Sequence, residues 1–210
     1  MSTFLENQSW RYATKKFDAS KKIAQKDFEK LQQAIQISAS SYGLQPYKVL
    51  VIENPEIRAQ LQPVSWGQSQ IVDASHLLVF ANFIDVTDNH IDDYISNIAK
   101  TRGMKLEDLK GYGDFMKSKI TPMPSELKSS WTSRQVYLAL GNLLNAASEL
   151  KIDVTPIEGF EPEKYNEILD LKSKNLNAVV VAAIGYRHKE DATQFYPKVR
   201  KPINELFETL

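Results

Sequence analysis

The sequence predicts an α+β fold with an α/β/α layered arrangement, from three observations. "YKVLVI" (Tyr47 to Ile52), "HLLVFANF" (His76 to Phe83) and "NAVVVAAIGY" (Asn177 to Tyr186) are short apolar runs rich in β-branched residues, the composition of strands. The second and third are apolar without alternation, which suits strands covered by helices on both faces. Long stretches of helical periodicity lie between them, and no linker, repeat or low-complexity tract divides the 210 residues. One domain over residues 1–210 is therefore expected.

In Gln25 to Ser38, the residues Phe28, Leu31, Ile35 and Ser38 recur at helical spacing, with Gly43 as a plausible stop. Asn54 as N-cap with Pro55 at the first helical position opens a short helix through Leu61. Ile91, Tyr94, Ile95 and Ile98 mark one later helix, and Leu106, Leu109, Phe115 and Met116 another. The longest helix is expected from about Ser125 to Leu150. Its middle, "QVYLALGNLLNAASEL", is apolar round most of its circumference, so it is either central to the core or shared with a second subunit. Homodimerisation is the better of those two readings.

Composition narrows the function classes. With 26 basic and 26 acidic residues, the chain has no net field for a polyanion, and neither nucleic acid nor an anionic membrane is an expected partner. Any phosphate site must be local. The chain has no cysteine, which removes disulfides, thiolate metal sites and iron-sulfur clusters together. "MSTFLENQSW" is unlike a secretory signal, and no run of about eighteen apolar residues occurs, so a cytoplasmic protein is expected. The dinucleotide, P-loop, nucleophile-elbow and zinc-protease motifs are absent. His76, His90 and His188 lack ligand spacing, and no metal is expected.

Four polar segments remain. In "RYATKKFDASKK", Arg11, Thr14 and Lys15 place a guanidinium, a hydroxyl and an ammonium within one short stretch. In "YPKVRKP", Lys198 and Arg200 alternate on an extended segment pinned by prolines, so both could grip one phosphate. "SASSYGLQP" offers Ser38, Ser40 and Ser41 beside Gly43. In "VTPIEGFEP", Pro156 fixes the chain and Gly159 permits close approach of a ligand. Taken singly, each also reads as a solvated basic face, a serine-rich helix end or an ordinary turn.

Their joint order resembles the FMN-dependent nitroreductase family, in its oxygen-insensitive NAD(P)H nitroreductase branch. The resemblance runs through "RYATKKFDASKKI", "SASSYGLQPYKVLVI", "IVDASHLLVFAN", "RQVYLALGNLLNAASEL", "VTPIEGFEPE", "AVVVAAIGYR" and "FYPKVRKP". It implies a mixed central sheet flanked by helices, in an intertwined homodimer with FMN at the interface. It also implies NADH or NADPH as co-substrate, and ping-pong hydride transfer through flavin N5 to nitroaromatics, quinones or similar small-molecule acceptors. Arg11, Tyr12, Ala13 and Lys15 are implied along the phosphate, ribityl chain and pyrimidine edge, and Lys198 and Arg200 at the phosphate. Ala39, Ser40 and Ser41 are implied to reach the flavin from the partner, with Gln135 near the isoalloxazine.

The backbone of Glu158 or Gly159, in the Pro156–Ile157–Glu158–Gly159 run, is implied to hydrogen-bond N5, and Lys15 to stabilise the charge that develops at N1 and O2. No side chain is assigned as a general acid. Where some relatives carry Asn and Lys, this chain has Gly67 and Gln70. Gln70 can donate to a flavin carbonyl but brings no charge. Tyr12 stands where histidine is common. Two alternatives are a flavoprotein reductase with a specific metabolite acceptor, such as a dihydropteridine or free flavin, and a non-catalytic α/β binding module.

Overall fold

Asn54 Oδ1 accepts from the Glu56 and Ile57 N–H groups at 2.7 and 3.4 Å, and Pro55 follows at the first helical position. The expected helix therefore starts where its cap residue and its proline require. The computed structural model describes residues 3–210. Along the chain lie α1 (Thr3–Trp10), α2 (Gln25–Gln36), β1 (Tyr47–Ile52), α3 (Pro55–Leu61), α4 (Gln70–Asp73) and β2 (His76–Phe83). They are followed by α5 (Asp88–Arg102), α6 (Leu106–Ile120), α7 (Ser125–Glu149), β3 (Asp153–Ile157), α8 (Pro162–Ile168), β4 (Leu176–Gly185) and α9 (Ile203–Leu206). Among the described residues, no helix is long and apolar enough to cross a membrane.

The sheet has the order β1-β2-β4-β3. All three pairings are antiparallel, so within one chain the sheet is not the mixed one expected. Continuous apolar strands report helices on both faces, whatever the strand direction. Leu77, Val79 and Ala81 of β2, with Val181 and Ala183 of β4, pack against Leu61, Ile71, Tyr165 and Leu171 on one face. Leu78 and Phe80, with Val180, Ala182 and Ile184, pack against Phe28, Leu31, Val136, Leu140 and Leu143 on the other. Helices α5 and α6 carry a separate core of Val86, Ile91, Ile95, Leu109, Met116 and Ile120.

β3 is the strand that the sequence reading takes for a turn. Pro156 sits inside it, opposite Ala182, and is tolerated because β3 lies at the sheet edge and needs no outward N–H. Its other side is covered by the chain before Phe17: Thr155 Oγ1 donates to the Thr14 carbonyl at 2.7 Å. The whole amino-terminal segment is thereby seated along the end of β3.

One buried side chain ties β1 to β2. Arg58 donates from Nε to the Ile52 carbonyl (2.7 Å), from Nη1 to Ala74 (2.7 Å) and from Nη2 to Ser75 (3.2 Å). Replacing Arg58 with Ala leaves three carbonyls without this donor. We expect Arg58→Ala to lose about 3 kcal/mol of stability in chemical denaturation, because charged hydrogen bonds contribute about 1.5–3 kcal/mol each and truncation opens a cavity as well. A loss under about 1 kcal/mol would show that the carbonyls find other donors.

Candidate functional site

Three cations converge at the end of α1. Arg11, Lys198 and Arg200 line one cleft of about 280 Å³ with Tyr12, Ala13 and Thr193. No ion pair joins any of the three to a carboxylate among the described residues. Burial, and then the positive charge of Arg200, hold the Arg11 pKa below its ordinary value. Burial, then Arg11 and Arg200, do the same to Lys198. Arg11 Nε is buried without a hydrogen-bond partner. A group of this kind is suited to an anion, which would meet the buried Arg11 Nε and offset the like charges.

Within the described residues, Lys198 and Arg200 donate to backbone carbonyls only. Lys198 Nζ donates to the carbonyls of Gln8, at 2.5 Å, and of Arg11, and Arg200 Nη1 to that of Val199 at 2.6 Å. Lys198 and Arg200, expected to grip one phosphate, do line the same cleft. Thr14, which the sequence offers as a hydroxyl for a ligand, is fully buried under β3 and lies outside the site.

What shapes the segment is Asp191, which sequence reasoning missed. Its Oδ2 accepts from the Tyr12 hydroxyl (2.9 Å) and from the Lys15 and Lys16 N–H groups (2.7 and 3.1 Å), and its Oδ1 from the Thr193 N–H (3.0 Å). Burial raises the Asp191 pKa, but the hydrogen bonds from Lys16, Lys15, Tyr12 and Thr193 outweigh it and the net shift is downward. Burial and the bond to Asp191 push the Tyr12 hydroxyl upward. Tyr12 also stacks on the Arg187 guanidinium at 4.5 Å, Trp10 does so at 4.2 Å, and Arg187 pairs with the buried Asp153 at 2.6 Å. Lys15 is left with an exposed ammonium that forms no ion pair among the described residues.

A second group forms at the carboxyl end of β3. Gly159 lies under the Trp66 ring, and a Cβ there would come within 2.7 Å of it. The glycine is therefore required by a neighbour in the same chain. Trp66 has φ 55° and Gly67 φ 70°, a left-handed pair that turns the indole outward, 74 % exposed. Gln68 Nε2 ties this loop to the strand end by donating to the Gly159 carbonyl at 2.8 Å. The Glu158 and Gly159 N–H groups donate to no acceptor among the described residues. The Tyr137 hydroxyl donates to Glu158 Oε1, and burial together with this bond pushes the Tyr137 pKa up to about 12. Gln70 is buried and its side-chain amide is not engaged among the described residues.

The third predicted group stands apart. Ser40 Oγ accepts from the Gln45 N–H at 2.9 Å, and the Ser41 N–H donates to Gln135 Oε1 at 2.8 Å. Gln135 Nε2 donates to the Trp131 carbonyl at 3.0 Å, so the amide oxygen serves the Ser40–Ser41 loop while one of its two amide protons is left without an acceptor among the described residues. Gln135 and Tyr137 are two residues apart on α7, about 200° around a helix of 3.6 residues per turn. In one chain, Ser41 and Glu158 are therefore held from nearly opposite sides of that helix.

Comparisons with known proteins agree with this architecture. A nitroreductase of Exiguobacterium sibiricum, solved in complex with FMN and provisionally named, superposes with a TM-score of 0.84 at 20 % identity, covering 100 % of this chain and 98 % of that one. That likeness gives the fold: an α+β layered protein of nitroreductase type. The chain belongs to the nitroreductase family, whose family model matches residues 9–186. It is 34 % identical over 213 residues to the major NAD(P)H-flavin oxidoreductase of Aliivibrio fischeri, covering 98 % of this chain and 96 % of that protein. It is 32 % identical over 213 residues to YfkO of Bacillus subtilis, provisionally named an NAD(P)H nitroreductase, covering 96 % and 95 % of the two.

Asp191 supplies the prediction. A carboxylate with a lowered folded-state pKa contributes stability above its ordinary value of 3.8, and that contribution is lost as pH falls through the folded value. Asp191→Asn is expected to cost about 2 kcal/mol at pH 7. It should also flatten the loss of stability below pH 3.8, followed by denaturant melts across an acid series. A variant with the wild-type acid profile would contradict the assignment.

Proposed function

We propose that the protein is an FMN-dependent NAD(P)H oxidoreductase that reduces nitroaromatic compounds, quinones and similar planar acceptors as a homodimer. The observation that carries this reading is the unpaired cation group at the end of α1. Arg11, Lys198 and Arg200 with an orphaned Arg11 Nε match a phosphate monoester in charge and in donor number. The relatives named for NAD(P)H-linked nitro and flavin reduction support it.

Arg11, Lys198 and Arg200 would hold the phosphate, with Tyr12 and Ala13 along the ribityl chain. Lys15 would place its free ammonium at the pyrimidine edge, where Gln70 and the backbone at Gly67 offer neutral contacts. The Pro156–Gly159 strand end would present the Glu158 and Gly159 N–H groups to the ring. When bound, FMN supplies the two-electron chemistry, taking a hydride from NADH or NADPH and passing the electrons to an acceptor. Lys15 would stabilise the negative charge that accompanies reduction. Trp66 offers a flat, exposed indole beside the strand end, a stacking surface for an aromatic acceptor.

The dimer follows from what one chain cannot do. Ala39, Ser40 and Ser41 are held on the side of α7 away from Glu158, so a single cofactor meeting both groups takes Ser40 and Ser41 of the partner subunit. Leu127 and Leu138 of α7 are exposed in the single chain, as are Ile203, Leu206 and Phe207 beyond the site. A partner that covers these surfaces buries them.

Purified protein should be yellow and release FMN on denaturation, and should oxidise NADH or NADPH in the presence of a nitroaromatic or quinone. A colourless protein that cannot be reconstituted with FMN would refute the reading. Arg200→Ala should weaken FMN binding about 10- to 100-fold, from a charged contact of about 1.5–3 kcal/mol. Unchanged affinity in a fluorescence titration would remove Arg200 from the phosphate site.

A further inference from the structure

We propose that Tyr42 is held in an aromatic clamp by α5, α6 and α7 that sets the Ser40–Ser41 loop for the flavin, with Tyr94 as its positioning residue. The inference rests on the reading that this loop serves the cofactor of the partner subunit. It names side chains on the helical excursion α5–α6 as determinants of that site, although they lie outside all four polar segments picked from the sequence.

Tyr42 has φ 59° and ψ −2°, a left-handed conformation that a bulky residue keeps only where its surroundings enforce it. Four aromatic side chains do so. The Tyr94 hydroxyl of α5 donates to the Tyr42 carbonyl at 2.7 Å, and the Tyr112 hydroxyl of α6 reaches the same oxygen at 3.4 Å. The Tyr42 ring meets Phe115 of α6 edge-on, at 6.4 Å between centroids and 65° between planes, and Trp131 of α7 at 6.4 Å and 70°. Gly43 is fitted to the same group, with φ 77° and a position where a Cβ would lie 2.4 Å from the Tyr94 hydroxyl oxygen.

The consequence lies one residue back along the chain. With the Tyr42 carbonyl fixed, the Ser41 N–H is aimed at Gln135 and the Ser40 hydroxyl accepts from Gln45. The hydrogen bonds of Ser40 and Ser41 within the described residues use backbone groups or a lone pair of the Ser40 hydroxyl, and the two hydroxyl protons donate to no acceptor there. α5 and α6 have their own core, so they act on the loop as a preformed body. Positioning of this kind enters affinity through the ordering cost that the free loop would otherwise incur on binding.

The test is a double-mutant cycle on the holoprotein, with Arg200→Ala as an independent arm and two readouts, FMN affinity and the visible circular dichroism of bound FMN. Tyr94→Phe keeps the ring and removes the hydroxyl. It should weaken FMN binding about 3- to 10-fold, the size of one hydrogen bond, and alter the flavin dichroism, which a loss of global stability alone would not move. Gly43→Ala should weaken FMN binding less in the Tyr94→Phe background than in the wild type, because the oxygen it collides with is gone. Should Tyr94→Phe fail to fold, Tyr112→Phe carries the test, with a smaller dichroism change of the same sign expected.

Wild-type affinity and dichroism in the Tyr variants, with Arg200→Ala still weakened, would overturn the clamp and leave the flavin reading standing. Additive losses from Gly43→Ala and Tyr94→Phe would also overturn it. Wild-type protein that binds no FMN would remove the reading and the clamp together.

Discussion

Arg11, Lys198 and Arg200 face one another across the amino-terminal segment, and the acids of this region are committed elsewhere. Asp153 is locked to Arg187, and Asp191 takes three backbone N–H groups and the Tyr12 hydroxyl. Arg11 is half-buried while Lys198 and Arg200 are exposed, so their mutual repulsion is moderated by solvent, and Lys198 is tied to the Gln8 and Arg11 carbonyls. Under the proposed function, a phosphate would supply the counter-charge that this cluster lacks among the described residues. Asp191 fixes the backbone at Lys15 and Lys16 and the Tyr12 hydroxyl beside Arg11, and forms no ion pair with Arg11 or Lys15 among the described residues.

The edge of the sheet positions the segment that carries these cations. β3 is an edge strand whose side is covered by the residue 14 carbonyl, which seats the segment carrying Arg11 along the strand that ends at Glu158 and Gly159. Trp66 closes that strand end on one side through its contact with Gly159. α7 divides it from the Ser40–Ser41 loop, since Gln135 and Tyr137 leave the helix in nearly opposite directions. Under the proposed function, a partition of this kind would make the second subunit part of the site.

Much of the fold was legible in the sequence because local signals agreed with the tertiary outcome. The Asn54–Pro55 helix start, the β1 and β2 bounds and the extent of α7 all follow from caps, β-branched runs and periodicity. β3 was not legible, since Pro156 argues against a strand unless it is known to lie at an edge. Nor was the strand direction, because apolar runs report coverage and not polarity. At the site, Arg11, Lys198 and Arg200 could be paired through the family resemblance. Asp191, Trp66 and Tyr94 could not, because each acts through a partner between 50 and 180 residues away that only the folded chain brings near. The weak signal for Asp191 was its place two residues before Thr193, as a turn cap.

The central claim is that the cation group exists for a phosphate, and the most direct measurement compares the affinities of the apoprotein for FMN and riboflavin, which differ only in that group. Calorimetric titration of both at two salt concentrations isolates its contribution. Three converging cations predict that FMN binds at least about 100-fold more tightly than riboflavin, since charged contacts contribute about 1.5–3 kcal/mol each, and that the difference narrows as salt rises. Equal affinities at both salt concentrations would contradict the account.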